Sequence, residues 1–507
     1  MIGTQPEDLL ADGQQGPVVV GEKPVGLGAF LDVCAGAEVT VDEASWPRVR
    51  AAAEALEELL DAGNTVYGVT TGYGASSDSP ISPGDREAFQ LATIRSHACG
   101  TGPALPWARA RGVWLAKTLS MLTGLTGAGL SPVATMVALL NAGFAPVVPR
   151  TGSLGASGDL IPSGHAALAL LGEGDVLRSD GTPLAAAEAL EFAGVPAVVL
   201  GPRDGLSLVN GTSVTTALVA HACGEAARLL AVTEVVAASA LEAFGGHPDA
   251  FDPAVVSARA HPGAVAASAG VRRALAGVDL AALGRQGMHD PYAWRCLPQV
   301  HGAARDACGW ASSTCETELE SCTDNPLIVS GASVVSGGNF HGAPLGLVSD
   351  TLRLAIGEVA ALSRQRTSHL AACLGREPST RVPVGGIGLT MVVTTATASL
   401  LEISSTGNGT GHWLPVDSVE DHVPNSTIAA LHALDVLALA RAVVAAEVVA
   451  TAVVLQLRRA PATSAGARWL TGLVGGVDGA LRLDRPLTGV LERVGERLAE
   501  PLTFSFE

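Results

Sequence analysis

Residues Ser426–Leu457 read STIAALHALDVLALARAVVAAEVVATAVVLQL, and from Ile428 to Leu457 only Asp435, Arg441 and Glu447 carry charge. A helix that is apolar almost all round has to be buried on all sides. At ~1.5 Å per residue, a helix over 426–459 would be about 50 Å long. A monomer of this size has trouble hiding several such helices, so the segment predicts a helical bundle shared between subunits. The same reading extends outward. Leu345, Val348, Leu352, Ile356, Val359 and Leu362 recur at helical spacing and predict a helix over 345–374 that stops at Gly375. Residues 213–243 predict another long, mostly apolar helix, and 107–143 predict two helices broken near Gly127–Pro132. Val41, Trp46, Val49, Ala53, Leu56 and Leu60 give 41–62 an amphipathic pattern. Residues 1–25 read as a loose arm and 463–507 as short amphipathic helices. The uncharged run Val382–Leu401 contains Pro383, three glycines and several threonines, which argues against a membrane span.

The bulk numbers bound the function. A chain of 507 residues suggests roughly three domains, here divided at 1–210, 211–460 and 461–507. The net charge of −18, from 31 basic and 49 acidic residues, argues against nucleic acid or an anionic membrane as partner. Aromatics make up only 4%, and small apolar residues dominate, which favours closely packed helices. The eight cysteines are scattered and none forms C-x-x-C, the usage of reduced thiols in a cytoplasm. The start, MIGTQPEDLLADGQQG, is acidic and polar, unlike a signal or transit peptide.

Chemistry concentrates in GSLGASGDL, Gly152–Leu160, between a strand-or-loop run at 144–150 and a helix expected over His165–Leu171. Gly155 and Gly158 permit backbone turns that other residues resist. The Gly158 amide nitrogen can attack the Ala156 carbonyl carbon and close a five-membered ring. Loss of the Ser157 hydroxyl as water then leaves an exocyclic methylidene, an electrophile made from the chain itself. Serine is needed in the middle because its hydroxyl leaves; glycine is the least hindered nucleophile; the first residue must be small. A phosphate-binding loop would want Lys and Ser/Thr after the last glycine, where Asp159 stands. A nucleophile elbow would need G-x-S-x-G, and Gly158 follows Ser157 directly. A plain glycine-rich turn is the remaining alternative.

Further segments bear on the choice. Tyr67-Gly68-Val69-Thr70-Thr71-Gly72-Tyr73-Gly74 is a glycine-marked loop. Ser96-His97 follows, then Asn210-Gly211, a turn signal before a helix that Thr212 or Ser213 could cap. Asp290-Pro291-Tyr292-Ala293-Trp294-Arg295 holds an arginine, whose planar fork can grip a carboxylate with two parallel hydrogen bonds. Thr323-Asp324-Asn325-Pro326, Gly338-Asn339-Phe340-His341-Gly342 and Glu420-Asp421-His422-Val423 complete the set. Glu402 ends the uncharged run, a carboxylate expected to be buried or at a site. His412, Glu420 and His422 match no common zinc spacing, so no metal is expected.

Taken together and in this order, these segments resemble the histidine and phenylalanine ammonia-lyase family, and the length suits the shorter bacterial histidine-type enzymes. The resemblance implies a mainly α fold, a long antiparallel helical bundle with a homotetrameric core, and active sites shared between chains. It implies 4-methylidene-imidazol-5-one formed autocatalytically from Ala156-Ser157-Gly158, with no external cofactor. Tyr67 becomes the candidate base and Tyr292 an assistant to the prosthetic group or proton traffic. Arg295, helped by Asn210, would hold the substrate carboxylate. His97 and Glu402 would face the side chain, and Phe340 would line the site. The implied reaction removes ammonia from an aromatic L-amino acid, histidine leading. The runner-up is an aminomutase, tyrosine-type or other, returning the amine to the β-carbon; a non-catalytic helical oligomer that kept the motifs is a third reading. Departures from the family's pattern occur at Ile161, Ser163 and Gly164, at His289, over Ile387–Val393 around Thr390, and at Pro424-Asn425-Ser426.

Overall fold

The computed structural model describes residues 16–278, 288–329, 333–374, 383–410, 421–457, 462–475 and 486–500. The expected stop at Gly375 and most of the N-terminal arm lie outside them. Five long helices dominate: Ser213–Phe244, Leu297–Leu319, Ala343–Leu374, Pro383–Ser405 and Ser426–Leu457. The first ends at Gly245, whose φ of +77° makes the left-handed stop favoured after a helix.

Side-chain pairings fix the directions. Thr215 meets Thr427 near both starts, and Glu225 pairs with Arg441 further along, so 213–244 and 426–457 run parallel. Gly346 lies against Ser426 while Arg366 pairs with Glu447, so 343–374 runs the same way. The helix 297–319 runs opposite, since Arg305 reaches Glu234 and Glu318 reaches back to Thr212. So does 383–405, with Arg364 on Thr397 and Arg353 on Thr406. Successive long helices therefore alternate in direction, as expected of an antiparallel bundle. Three of them nevertheless point their N-termini the same way.

The 426–457 helix is the bundle's axis. In its most apolar window 78% of the residues are buried by this same chain. One chain therefore covers most of that window by itself. Its alanines and valines are short, and the helices 213–244, 343–374 and 383–405 close around them. Each of its three charges has a partner. Asp435 pairs with Arg150, Arg441 with Glu225 at 3.1 Å, and Glu447 with Arg366. The last pair is two-pronged, at 2.6 and 2.9 Å, and both side chains are fully buried.

Other elements differ from expectation at their edges. The run from Val382 is a helix beginning at Pro383; a proline at the first position loses no intrahelical bond. Thr394, Thr395 and Thr397 donate their hydroxyls to carbonyls four residues back. The first amphipathic helix spans Ser45–Asp61, because Val39–Val41 instead pairs as a strand with Val18–Val20. The helix after the glycine loop starts at Leu160, earlier than His165, and ends in a tighter turn over Ala169–Leu171. Helices Trp107–Leu122 and Leu130–Asn141 match the expected pair.

Removing one partner of the Arg366–Glu447 pair strands a buried charge. Glu447→Ala is expected to cost about 3–5 kcal/mol, read as a lower denaturant midpoint by circular dichroism. The double change Arg366→Met with Glu447→Leu should recover most of that loss.

Candidate active site

The 152–160 loop folds as its glycines require. Gly155 and Gly158 have φ of +74° and +75°, a region side chains disfavour. Space is denied as well: a Cβ on Gly158 would stand 2.2 Å from the Gly211 carbonyl oxygen, and one on Gly155 2.3 Å from Ser426 Oγ. Backbone bridges join Gly158 to Gly155, Ala156 and Gly211. The chain thus doubles back around Ala156 and Ser157, the turn that ring closure between Gly158 and Ala156 requires.

Three helix starts converge on this loop. Gly342 N–H donates to Gly155 O at 3.2 Å beside the start of 343–374. Asn425 N–H donates to Leu154 O at 2.8 Å beside 426–457, and Asp159 N–H to Gly211 O at 2.8 Å beside 213–244. Helix N-termini carry partial positive charge. Asp159, fully buried, lies in that field. It accepts the Thr215 N–H at 2.7 Å, and the hydroxyls of Ser153, Thr215 and Thr427 lie 2.9, 2.8 and 2.6 Å from its Oδ1. These partners are all neutral, so oriented dipoles rather than a cation hold the carboxylate.

A cavity of about 190 Å³ opens on the loop, with Ser157, Tyr67, Tyr73, His97, Asn210 and Phe340 in its wall. The Tyr67 hydroxyl oxygen accepts the Gly74 N–H at 2.9 Å, a donor that favours charge building on that oxygen. Buried Gln90 anchors the loop, donating to Gly68 O at 2.9 Å and accepting from Leu206 N–H at 3.0 Å. His97 Nδ1 lies 2.7 Å from Thr93 O. A carbonyl only accepts, so Nδ1 carries the proton and Nε2 of the neutral ring is an acceptor.

Asn210 is oriented by the same logic. Its Nδ2 donates to Asp324 Oδ1 at 2.8 Å and to Asn325 O at 3.2 Å. Both partners only accept, which leaves Oδ1, an acceptor, for the cavity. Asp324 is itself held by Arg203 at 2.9 Å and Ser207 Oγ at 2.8 Å. Beneath them Lys117 Nζ donates to the carbonyls of Ser207, at 2.9 Å, and Asn210. Burial pushes the Lys117 ammonium below its ordinary range, opposed by the Asp324 charge.

The remaining expected residues are not brought in. Tyr292 is 73% exposed on the short helix Tyr292–Arg295, and Arg295 is exposed on the same helix. Glu402 is exposed too, against the expected burial, because its face of the 383–405 helix is not covered by the described residues. None of the three lines the cavity. His412 and Glu420 lie outside the described residues. Among the described residues no cluster of three or more metal-ligating side chains occurs.

Comparison with known proteins gives one answer. Residues 26–473 match the aromatic amino acid lyase family. The histidine ammonia-lyase of Caldanaerobacter subterraneus subsp. tengcongensis is 37% identical over 433 residues, covering 83% of this chain and 84% of that protein. The solved histidine ammonia-lyase of Trypanosoma cruzi superposes with a TM-score of 0.85 at 28% identity, covering 95% of this chain and 93% of the other. The tyrosine aminomutase of Streptomyces globisporus gives 0.88 at 27% identity, covering 96% and 97%.

The chain belongs to the aromatic amino acid lyase family.

Its departures from the pattern of such lyases fall in two groups. Gly164 packs under the site: a Cβ there would meet His97 carbon atoms at 3.0 Å, so the small residue lets the helix 160–168 press against His97. Ile161 fills the space over Gly152 and Gly100. Asn425 adopts φ of +50°, tolerated by asparagine, and places Ser426 against Gly155. His289 and Thr390, in contrast, are exposed and stand outside the cavity wall. Sequence reasoning passed over Tyr73, Lys117 and Asp324 as site residues. Lys117 had a visible signal, a lone lysine inside the apolar run Val113–Leu122. Asp324 and Tyr73 lie in the segments Thr323–Pro326 and Tyr67–Gly74, where local sequence assigns them no role.

Gly158→Ala should be a severe change, since its methyl needs the space of the Gly211 carbonyl and an unfavourable φ. The expected result is a lower unfolding temperature and loss of lyase turnover, measured by thermal circular dichroism and ammonia release.

Proposed function

We propose that this chain is an ammonia-lyase acting on an aromatic L-amino acid, histidine foremost, by way of a methylidene-imidazolone formed from Ala156-Ser157-Gly158. The observation that carries the reading is the single cavity wall in which Ser157, held between left-handed glycines, faces Tyr67, His97 and Asn210. The residues fit the group: Gly158 is cradled where no side chain could stand, and the backbone doubles back at Ala156. Once formed, the ring supplies the electrophile that turns the substrate's amine into a leaving group. The chain's own residues do the rest. Asn210 Oδ1 accepts from the substrate ammonium. Tyr67 takes a proton from the β-carbon; the Gly74 N–H stabilises charge on its oxygen, which a free tyrosine of pKa ~10 would need. His97 Nε2 accepts a hydrogen bond from the substrate's ring. The products are an α,β-unsaturated acid, urocanate for histidine, and ammonia.

Arg295, Tyr292 and Glu402 enter this reading from neighbouring chains of a homotetramer. Their exposure supports it, as do the exposed apolar Leu347, Leu354, Met391 and Leu401 on two long helices. Arg295 would grip the substrate carboxylate, and Tyr292 would assist the prosthetic group. An aminomutase reaction on the same scaffold is the second reading, favoured by the likeness to the Streptomyces aminomutase. A β-amino product distinguishes it.

Purified protein incubated with L-histidine should release ammonia and urocanate in equal amounts, and its intact mass should fall short of the sequence by two waters. In Ser157→Ala no hydroxyl can leave, so turnover should drop below detection. A fully active variant would sink the ring chemistry.

A further inference from the structure

We infer that Tyr73 is a specificity-determining residue, its hydroxyl acting with His97 to select substrates whose aromatic ring carries a hydrogen-bonding group. The inference rests on the reading above that the cavity takes an aromatic amino acid.

The Tyr73 ring is fixed from one side by a single helix. It packs on Phe89 with centroids 5.4 Å apart and on His97 at 5.7 Å. Phe89, Thr93 and His97 recur every four residues along the helix Arg86–His97 and so share one face. The two tyrosines of the loop differ in their hydroxyls. That of Tyr67 accepts the Gly74 amide. That of Tyr73 has no hydrogen-bond partner among the described residues, although the side chain is half-buried in the cavity wall. A half-buried phenol ordinarily finds a partner. A ligand ring in the cavity supplies one.

The two polar groups at this end are complementary in type. In the neutral ring His97 Nε2 is an acceptor, because Nδ1 gives its proton to Thr93 O. The Tyr73 hydroxyl can donate or accept. A neutral imidazole has one N–H to give to His97 and one bare nitrogen to accept from Tyr73. A phenol hydroxyl can likewise give to His97 and accept from Tyr73. An unsubstituted phenyl ring can do neither and would leave both groups unpaired. The wall therefore favours imidazole and phenol side chains over phenyl.

Tyr73→Phe removes the hydroxyl and keeps the ring that packs on Phe89 and His97. The test measures, by titration calorimetry on wild type and variant, the binding of 3-(imidazol-4-yl)propanoate, 3-(4-hydroxyphenyl)propanoate and 3-phenylpropanoate. None carries an amine, so none is turned over. The variant is expected to lose about 3- to 10-fold in affinity for the first two, the range for one neutral hydrogen bond, and to bind the phenyl compound as well as or better than wild type. An equal shift for all three, no shift for any, or no binding of any to wild type would overturn the assignment. Ammonia release from L-histidine, L-tyrosine and L-phenylalanine is assayed alongside. Selective weakening without ammonia from any of them would leave the role of Tyr73 standing and remove the lyase reading.

Discussion

A buried carboxylate holds the site together. Asp159 has no cation bonded to it among the described residues, yet it is fully buried among a backbone amide and three hydroxyls. Such a charge is tolerable only where donors already point inward. Here they do, because Thr215 and Thr427 stand in the first turns of two long helices that begin side by side. The same contacts tie the glycine loop to the bundle. The loop's geometry is therefore a property of the helices it is tied to.

The parallel run of 213–244, 343–374 and 426–457 follows from this arrangement. Three helix N-termini facing one loop concentrate positive partial charge around Ala156-Ser157-Gly158. The antiparallel helices 297–319 and 383–405 fill the bundle between them and send their own N-termini elsewhere. Below the cavity a second polar layer does related work. Arg203 and Asp324 pair at 2.9 Å, both almost wholly buried, and Lys117 caps the carbonyls of Ser207 and Asn210. Charges so deep would be costly without mutual pairing. Their geometric effect is to leave Asn210 a single way to face the cavity.

The bundle was largely legible in the sequence, because helices buried on every side announce themselves by lacking charge. The runs at 213–244 and 426–457 are of this kind. Edges were less legible. Val41 fits a helical stripe, yet its neighbours pair with Val18–Val20, and hydrogen bonding to a distant strand outweighed local periodicity. Burial by other subunits was inferred for 426–457 from its apolarity alone. The short side chains of the neighbouring helices allow one chain to cover it.

By itself the sequence determined the Ala156-Ser157-Gly158 triplet proposed to form the ring, the glycines around it and the helical class, since these depend on residue chemistry and local spacing. Tyr67, Ser157, His97, Asn210 and Phe340 could be named from motifs, but not brought to one wall of one cavity. That meeting spans residues 67 to 340 and depends on helix packing. Only the tertiary structure decided which atom of Asn210 faces the cavity, which nitrogen of His97 is turned to the Thr93 carbonyl, and that the Tyr73 hydroxyl has no hydrogen-bond partner among the described residues. It also decided that Tyr292, Arg295 and Glu402 face outward. Each of these is a question of direction, and direction is set by contacts between distant segments that local sequence does not encode.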